Sequence, residues 1–280
     1  RIERINGVRV IRWPVWPHQL TYHLPKDRKN FIELMASEMR GSDIIHIHNI
    51  HTLIAYYGWQ AWKKYRPGKL VVTPYYHGGG HTTYRNVLWI VWKRIIRNVL
   101  MDAHMIHTVS KFEANLIERD YGIEAISIEN GVEESLLDIK WDARDYVLYS
   151  GRIERYKNID RLGRIVHLLN KEFGLKLSFL VIGCGAYKKN LINNLKKLDI
   201  RWKVMKFQPF SSYIDKLSHA VFLGLISEKE SYPQSVNEAN AIGVPVVVAK
   251  PWGCNFAERT RTLIIDLNMN DGEIAKKIMH

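Results

Sequence analysis

Residues 221–249 read VFLGLISEKESYPQSVNEANAIGVPVVVA. A continuous apolar run, Val221–Ile226, gives way to a charged loop carrying Glu230. Pro233 then presets the backbone for a helix whose first turn holds Ser235 and Val236. Gly243 stops that helix, and Pro245 opens a second apolar run, Val246–Val248. Strand, helix and strand in one such stretch form the unit of parallel α/β architecture. The free N–H groups of the first turn, at Ser235 and Val236, make an anion site at the positive helix end. Glu238 follows about one turn later, within reach of vicinal hydroxyls such as those of a ribose. Each glutamate alone has a plainer reading, Glu230 as surface loop and Glu238 as a partner of the helix dipole.

The same alternation extends outward in both directions. Apolar, β-branched runs occur at Val8–Trp13, Ile44–His48, Leu70–Pro74, Met105–Val109 and Ala125–Ile128. Further runs lie at Tyr146–Tyr149, Leu177–Ile182, Trp202–Lys206 and Leu263–Ile265, with helical patterns such as Lys111–Tyr121, Asn158–Phe173 and Lys188–Leu198 between. Most runs are continuous rather than alternating, which predicts strands buried on both faces of a parallel sheet. The polar stretch Glu133–Asp145 reads as a linker between an N-terminal domain, residues 1–140, and a C-terminal domain, residues 141–280. Two Rossmann-like sheets would then face each other, with ligands beyond the carboxyl ends of their strands.

Composition narrows the class. At 280 residues, 46% hydrophobic and 25% charged, the chain has the make-up of a globular protein with a sizeable core. No run of about 18 apolar residues offers a membrane span, and no signal peptide is visible. Cys184 and Cys254 are too few for a disulfide framework, and no Cys/His spacing suggests zinc, so a reducing cytoplasmic setting is expected. The net charge of +13 fits a solvated basic surface, an anionic nucleotide ligand or an anionic membrane. No nucleic-acid-binding signature accompanies it, and no nucleic-acid partner is expected.

The segment from Glu230 to Val248 resembles the E-x7-E signature of the family 4, or group 1, retaining glycosyltransferases, which have the GT-B fold: Glu, an aromatic-Pro step, Glu-Ala, then Gly-x-Pro-Val, all in register. Ser150-Gly151-Arg152-Ile153 with Lys157 resembles the family's Gly-Arg…Lys element. The resemblance implies that these two cations hold the diphosphate of a nucleoside diphosphate sugar, where preorganised positive charge stabilises the leaving group. Gly183-Cys184-Gly185 resembles the family's strand-end Gly-x-Gly on the nucleotide side, and it lacks the third glycine of a dinucleotide fingerprint. Glu129-Asn130-Gly131-Val132 resembles the family's Asn-Gly-Val and reads as a structural turn.

In the N-terminal half, Asp43-Ile-Ile-His46-Ile-His48 resembles a family strand. His46 and His48 share one strand face; with His51 they suggest a metal site, but no carboxylate or cysteine completes it, so packed histidines are preferred and no metal is expected. His77, followed by Gly78-Gly79-Gly80, matches a family histidine near the transferred sugar; Ser110, after Thr108-Val109, matches a cleft-facing serine, and His48 is a further cleft candidate. Residues 85–100, RNVLWIVWKRIIRNVL, are apolar nearly all round with Trp89, Trp92 and four cations. A buried helix with a basic rim is the plainer reading of Arg85–Leu100; a peripheral membrane-surface helix is the alternative.

Departures are few. Phe207-Gln208-Pro209 stands where the family usually has Gly, and Ile226-Ser227 replaces Pro-Ser. The chain opens at Arg1 in what reads as mid-domain, so the family's first strand and Gly-rich loop are expected to be missing from a truncated N-terminal domain. The resemblance implies a retaining hexosyltransferase that moves sugar to a glycan or lipid-linked acceptor without cofactor or metal, the leaving phosphate taking the acceptor proton. A GT-B phosphorylase or epimerase, or a non-catalytic nucleotide-sugar-binding protein, are the rival readings.

Overall fold

The computed structural model describes residues 1–17, 23–79 and 83–280, with the side chains of residues 83–87 outside that description. The chain divides into two compact units, Arg1–Glu129 and Asn130–His280.

The C-terminal unit holds six parallel strands: β7 (Tyr146–Ser150), β8 (Ser178–Ile182), β9 (Trp202–Met205), β10 (Phe222–Leu225), β11 (Val246–Ala249) and β12 (Thr262–Ile265). Their spatial order is β12-β11-β10-β7-β8-β9, the doubly wound order of a Rossmann sheet. All residues of β10 and β11 are buried, as their continuous apolar runs predict. Helix α5 (Ile159–Phe173) buries Ile159, Leu162, Ile165, Val166 and Leu169, a stripe of helical period, and stops at Gly174 in the left-handed conformation. Leu162 lies so close over β10 that a Cβ on Gly224 would come within 2.5 Å of its Cδ2. The remaining helices of this unit are α6 (Lys188–Leu195), α7 (Phe210–Ser218), α8 (Gln234–Ile242) and α9 (Asp271–Met279). The stretch read as a polar linker is structured here: residues 134–138 form a short 3-10 helix with Leu136 buried, and the Trp141 ring N–H donates to the Ala220 carbonyl at 2.7 Å.

The N-terminal unit carries a parallel sheet ordered β3 (Ile44–His48), β4 (Lys69–Thr73), β5 (Met105–Thr108) and β6 (Ile126–Ser127). Helices α1 (Arg28–Met39), α2 (Leu53–Tyr65), α3 (Thr83–Asp102) and α4 (Lys111–Tyr121) accompany it. Two expectations change. The run from Val8 joins no parallel sheet: β1 (Ile2–Ile5) and β2 (Val8–Ile11) form an antiparallel hairpin turned by Asn6 and Gly7, both at positive φ. This is the Asn-Gly chemistry that favours a two-residue turn. The strands β3 to β5 are buried mainly on one face. Ile45, Ile47, Leu70, Val72 and Ile106 pack into a core with Trp59, Trp62, Ile96, Leu100 and Ile117, while Ile44, His46, His48 and Met105 are exposed.

Candidate functional site

Strands β7 and β10 are neighbours whose successors run to opposite sides of the sheet, so the crevice beyond their carboxyl ends is the topological switch point. The two loops that leave them are laced together. The Glu228 N–H donates to the Tyr156 carbonyl at 3.0 Å, and the Asn158 side-chain amide donates to the Ile226 carbonyl at 3.1 Å. The buried Trp252 ring holds the Ser227 carbonyl at 2.8 Å from below. Within this frame Lys157 Nζ and Glu230 Oε1 form an ion pair, with only 9% and 13% of the two side chains exposed. Arg152 differs: it is exposed, its guanidinium reaching the Tyr156 hydroxyl at 3.3 Å. The Tyr149 hydroxyl, inside the core, donates to the Arg152 carbonyl at 2.7 Å and fixes the backbone from which that guanidinium extends.

The strand-end glycines have a steric basis. A Cβ on Gly183 would lie 1.9 Å from the Gly151 carbonyl oxygen, and one on Gly185 would lie 2.2 Å from that of Ile153. They let the loop after β8 press directly against the Gly151–Ile153 backbone.

Helix α8 starts after Pro233, and its first turn is tied down by two side chains. Gln234 Nε2 donates to the Gly131 carbonyl at 2.8 Å, and Asn237 Nδ2 to that of Asn130 at 2.7 Å. The Asn130-Gly131 turn thus braces the helix start. Of the two amides expected to be free, Val236 N–H already donates to the Pro233 carbonyl at 3.1 Å, and the Val236 side chain is fully buried. Ser235, at the second helical position, has no intrahelical acceptor for its N–H. Half-buried Glu238 accepts from the Tyr213 hydroxyl at 2.8 Å. Burial raises the Glu238 pKa from the usual carboxylate range, and the Tyr213 hydrogen bond opposes that rise. Tyr213, on α7, is a group the sequence reading did not pick out.

In the N-terminal unit His77 is half-buried, and its ring stacks on His51 at 4.4 Å with an interplanar angle of 8°. Gly78 follows at φ 86°, while Gly80 lies outside the described residues. His48 is exposed and stacks between His46 (4.0 Å) and Tyr75 (6.0 Å). Burial, then the neighbouring histidine charges, lower the pKa of both His46 and His48, which favours their neutral forms. His46 and His107 both hydrogen-bond the Thr73 hydroxyl, at 2.7 and 2.9 Å. Among the described residues no cluster of three His, Cys, Asp or Glu side chains could hold a metal ion. Ser110 is fully buried, and its Oγ accepts from the Glu113 N–H at 3.1 Å as the cap of α4.

Helix α3 packs inward with a basic rim but also carries an exposed apolar ridge. Trp92 donates its ring N–H to the Ile50 carbonyl at 2.9 Å and Trp89 stacks on Tyr76, so both indoles pack inward. The outward ridge is Ile90, Val91 and Met101, about 65% exposed each, with exposed Arg94 and Arg97 between them; the Arg85 side chain lies outside the description. No described helix is long and apolar enough to cross a membrane.

The fold is that of the GT-B glycosyltransferases. A profile described as "Glycosyl transferases group 1" matches residues 138–279, and one described as "Glycosyltransferase Family 4" matches residues 1–136. The chain belongs to the group 1 glycosyl transferases. No curated protein gives a match. Sucrose-phosphate synthase from Thermosynechococcus elongatus is similar in structure at 19% identity and a TM-score of 0.77, over 99% of this chain and 75% of that one. Anabaena Alr3699/HepE, solved with UDP and glucose, is similar at 16% identity and 0.72, over 89% and 71%. TarM is similar at 15% identity and 0.73, over 91% and 51%. This chain therefore spans between about half and three quarters of the length of these relatives.

Proposed function

We propose that the protein transfers a hexosyl unit from a nucleoside diphosphate sugar to a glycan or lipid-linked acceptor with retention of configuration, and that the C-terminal unit holds the sugar nucleotide. The observation that carries this reading is the Lys157–Glu230 pair at the switch point, flanked by exposed Arg152 and by Glu238 on α8. Arg152, Lys157 and the Ser235 N–H meet the diphosphate; charge that develops there on bond cleavage is stabilised by groups already in position. Glu238 accepts from the ribose hydroxyls. Glu230 hydrogen-bonds the sugar and supports positive charge developing at its anomeric carbon. His77 acts at the transferred sugar, and the leaving phosphate takes the acceptor proton. Gly183 and Gly185 shape the nucleotide side by admitting close backbone approach.

No metal is assigned, because the cations and the helix end supply the positive charge; turnover is expected to persist in a chelator. The UDP and glucose held by a structural relative make uridine the first base to try. The ridge of α3, apolar residues beside Arg94 and Arg97, suits peripheral contact with an anionic cytoplasmic membrane face where a lipid-linked acceptor would lie.

A thermal-shift panel of UDP-, GDP- and ADP-sugars on the intact protein tests the assignment. One of them is expected to raise the melting temperature, and Glu238→Ala to abolish the rise. If none does, or the variant responds like the wild type, the assignment fails. Product analysis with and without inorganic phosphate separates transfer from phosphorolysis.

A further inference from the structure

We infer that Glu113 is a positioning residue for His77: its buried carboxylate clamps together the loops after β4 and β5 and thereby fixes the backbone that presents the imidazole. The part of this inference that concerns turnover rests on the glycosyl-transfer reading above.

Glu113 is the third residue of α4 and is fully buried, and among the described residues no Lys or Arg forms an ion pair with it. A carboxylate held that way is costly unless hydrogen-bond donors surround it. Here the donors are backbone N–H groups from two different strand ends. Oε1 accepts from Tyr76 at 2.6 Å, on the loop after β4, and Oε2 accepts from Val109 at 3.0 Å, on the loop after β5. The spacing Ser110-x-x-Glu113 is that of a capping box, in which the glutamate turns back on its own helix. In this chain one oxygen instead crosses to the neighbouring strand's loop.

That loop needs holding. Tyr75 sits at φ 52°, a left-handed conformation that a non-glycine residue adopts at a cost of about 1–3 kcal/mol. Tyr76, whose N–H Glu113 receives, lies between that strained residue and His77. After His77 comes Gly78, exposed and at φ 86°, with the side chain of Leu116 of α4 the nearest atom to where its Cβ would be, at 3.9 Å. On one side, then, the histidine is held by a charged clamp and a stacked His51; on the other it adjoins glycine. Aliphatic packing could fill the Glu113 position, but it could not bond two loops at once.

The test is a double-mutant cycle in the full-length protein with Glu113→Gln, His77→Ala and the pair. Gln keeps the shape but presents an N–H where one backbone N–H needs an acceptor. A shift of a reacting group by about 1 Å costs on the order of 10²-fold in rate, so Glu113→Gln is expected to lower kcat by about that factor. KM for the nucleotide sugar should stay at the wild-type value. In the His77→Ala background the same substitution should cause no further loss. Multiplicative losses, or an unchanged kcat, would overturn the proposal.

An activity-independent arm uses histidine side-chain NMR, with the His77 signal assigned by its loss in His77→Asn. Glu113→Gln should move the His77 resonance and leave those of His167 and His219, in the other unit, in place. A His77 signal that does not move overturns the proposal even if the protein proves to transfer no sugar. Loss of turnover in Glu230→Gln and Glu238→Ala reports separately on the transfer reading.

Discussion

The two units arrange charge at their strand ends in opposite ways. In the C-terminal unit, carboxylates and cations meet side chain to side chain: Lys157 with Glu230, and Arg152 extended beside them. In the N-terminal unit the strand ends carry imidazole rings, His46, His48, His51 and His77, and the buried carboxylate is bound by backbone. The first arrangement suits gripping a highly charged ligand. The second suits orienting groups that must not attract stray ions. The sheets differ in the same sense, since β10 and β11 are buried on both faces whereas β3 presents His46 and His48 on an open face.

The contrast can be broken most strongly in the charged half. Lys157→Ala leaves Glu230 without its cation; kcat should fall by roughly 10²–10³-fold, and stability by about 3–5 kcal/mol, the range for stripping one partner from a buried pair. Initial rates and the melting temperature of the same preparation check both. If the variant melts like the wild type, the pair is not structurally coupled.

The backbone-bound half is reached through pH. Burial lifts the Glu113 pKa to about 7, with hydrogen bonds from Tyr76, Val109 and Tyr75 opposing the rise. Its folded value lies above the ordinary one, so its contribution to stability is fully present below the unfolded pKa and is lost as pH rises through about 7. Between pH 4.5 and 7 the wild type should therefore lose, relative to Glu113→Gln, on the order of 3 kcal/mol. Denaturant titrations across that window measure it, and parallel curves would contradict it.

Gly183→Ala sharpens the steric side of the proposed donor site. The added methyl meets the Gly151 carbonyl, and overpacking of this kind costs about 1–3 kcal/mol. The melting temperature should fall, and the nucleotide-sugar KM should rise because the Gly151-Arg152 backbone is displaced. The smallest effect is expected from Tyr213→Phe, which removes one hydrogen bond to Glu238. A bond to a charged acceptor is worth about 1.5–3 kcal/mol, part of which water restores at a half-buried site. Calorimetric titration with the nucleotide sugar should give an affinity weakened by roughly tenfold or less.

Much of this was legible from residue order. The E-x7-E segment, with Pro233 as the helix start and Gly243 as its stop, spelled out β10, α8 and β11, and Lys111–Tyr121 appears as α4 with the bounds its pattern indicates. The Asn6-Gly7 hairpin was also written in the chain, although its apolar residues read as one more parallel strand. Other features had no local signal. Tyr213 and Glu113 bond partners 25 and 37 residues away in the chain, a carboxylate and a backbone N–H that only the fold brings near. Residues 85–100 gave the inward helix with its basic rim but not its exposed ridge, because composition does not say which face turns inward; Trp89 and Trp92 went to the core and Ile90 and Val91 did not.

The Lys157–Glu230 contact sets terms of exchange. An anion that reaches Lys157 competes with a carboxylate already there, and Glu230, mostly shielded from water, must then find other hydrogen-bond donors. A ligand bearing both phosphate and hydroxyls satisfies the two residues together, whereas a nucleotide stripped of its sugar satisfies only one. On the proposed reading, the pair favours entry of the loaded nucleotide and, by closing again, helps expel the spent one.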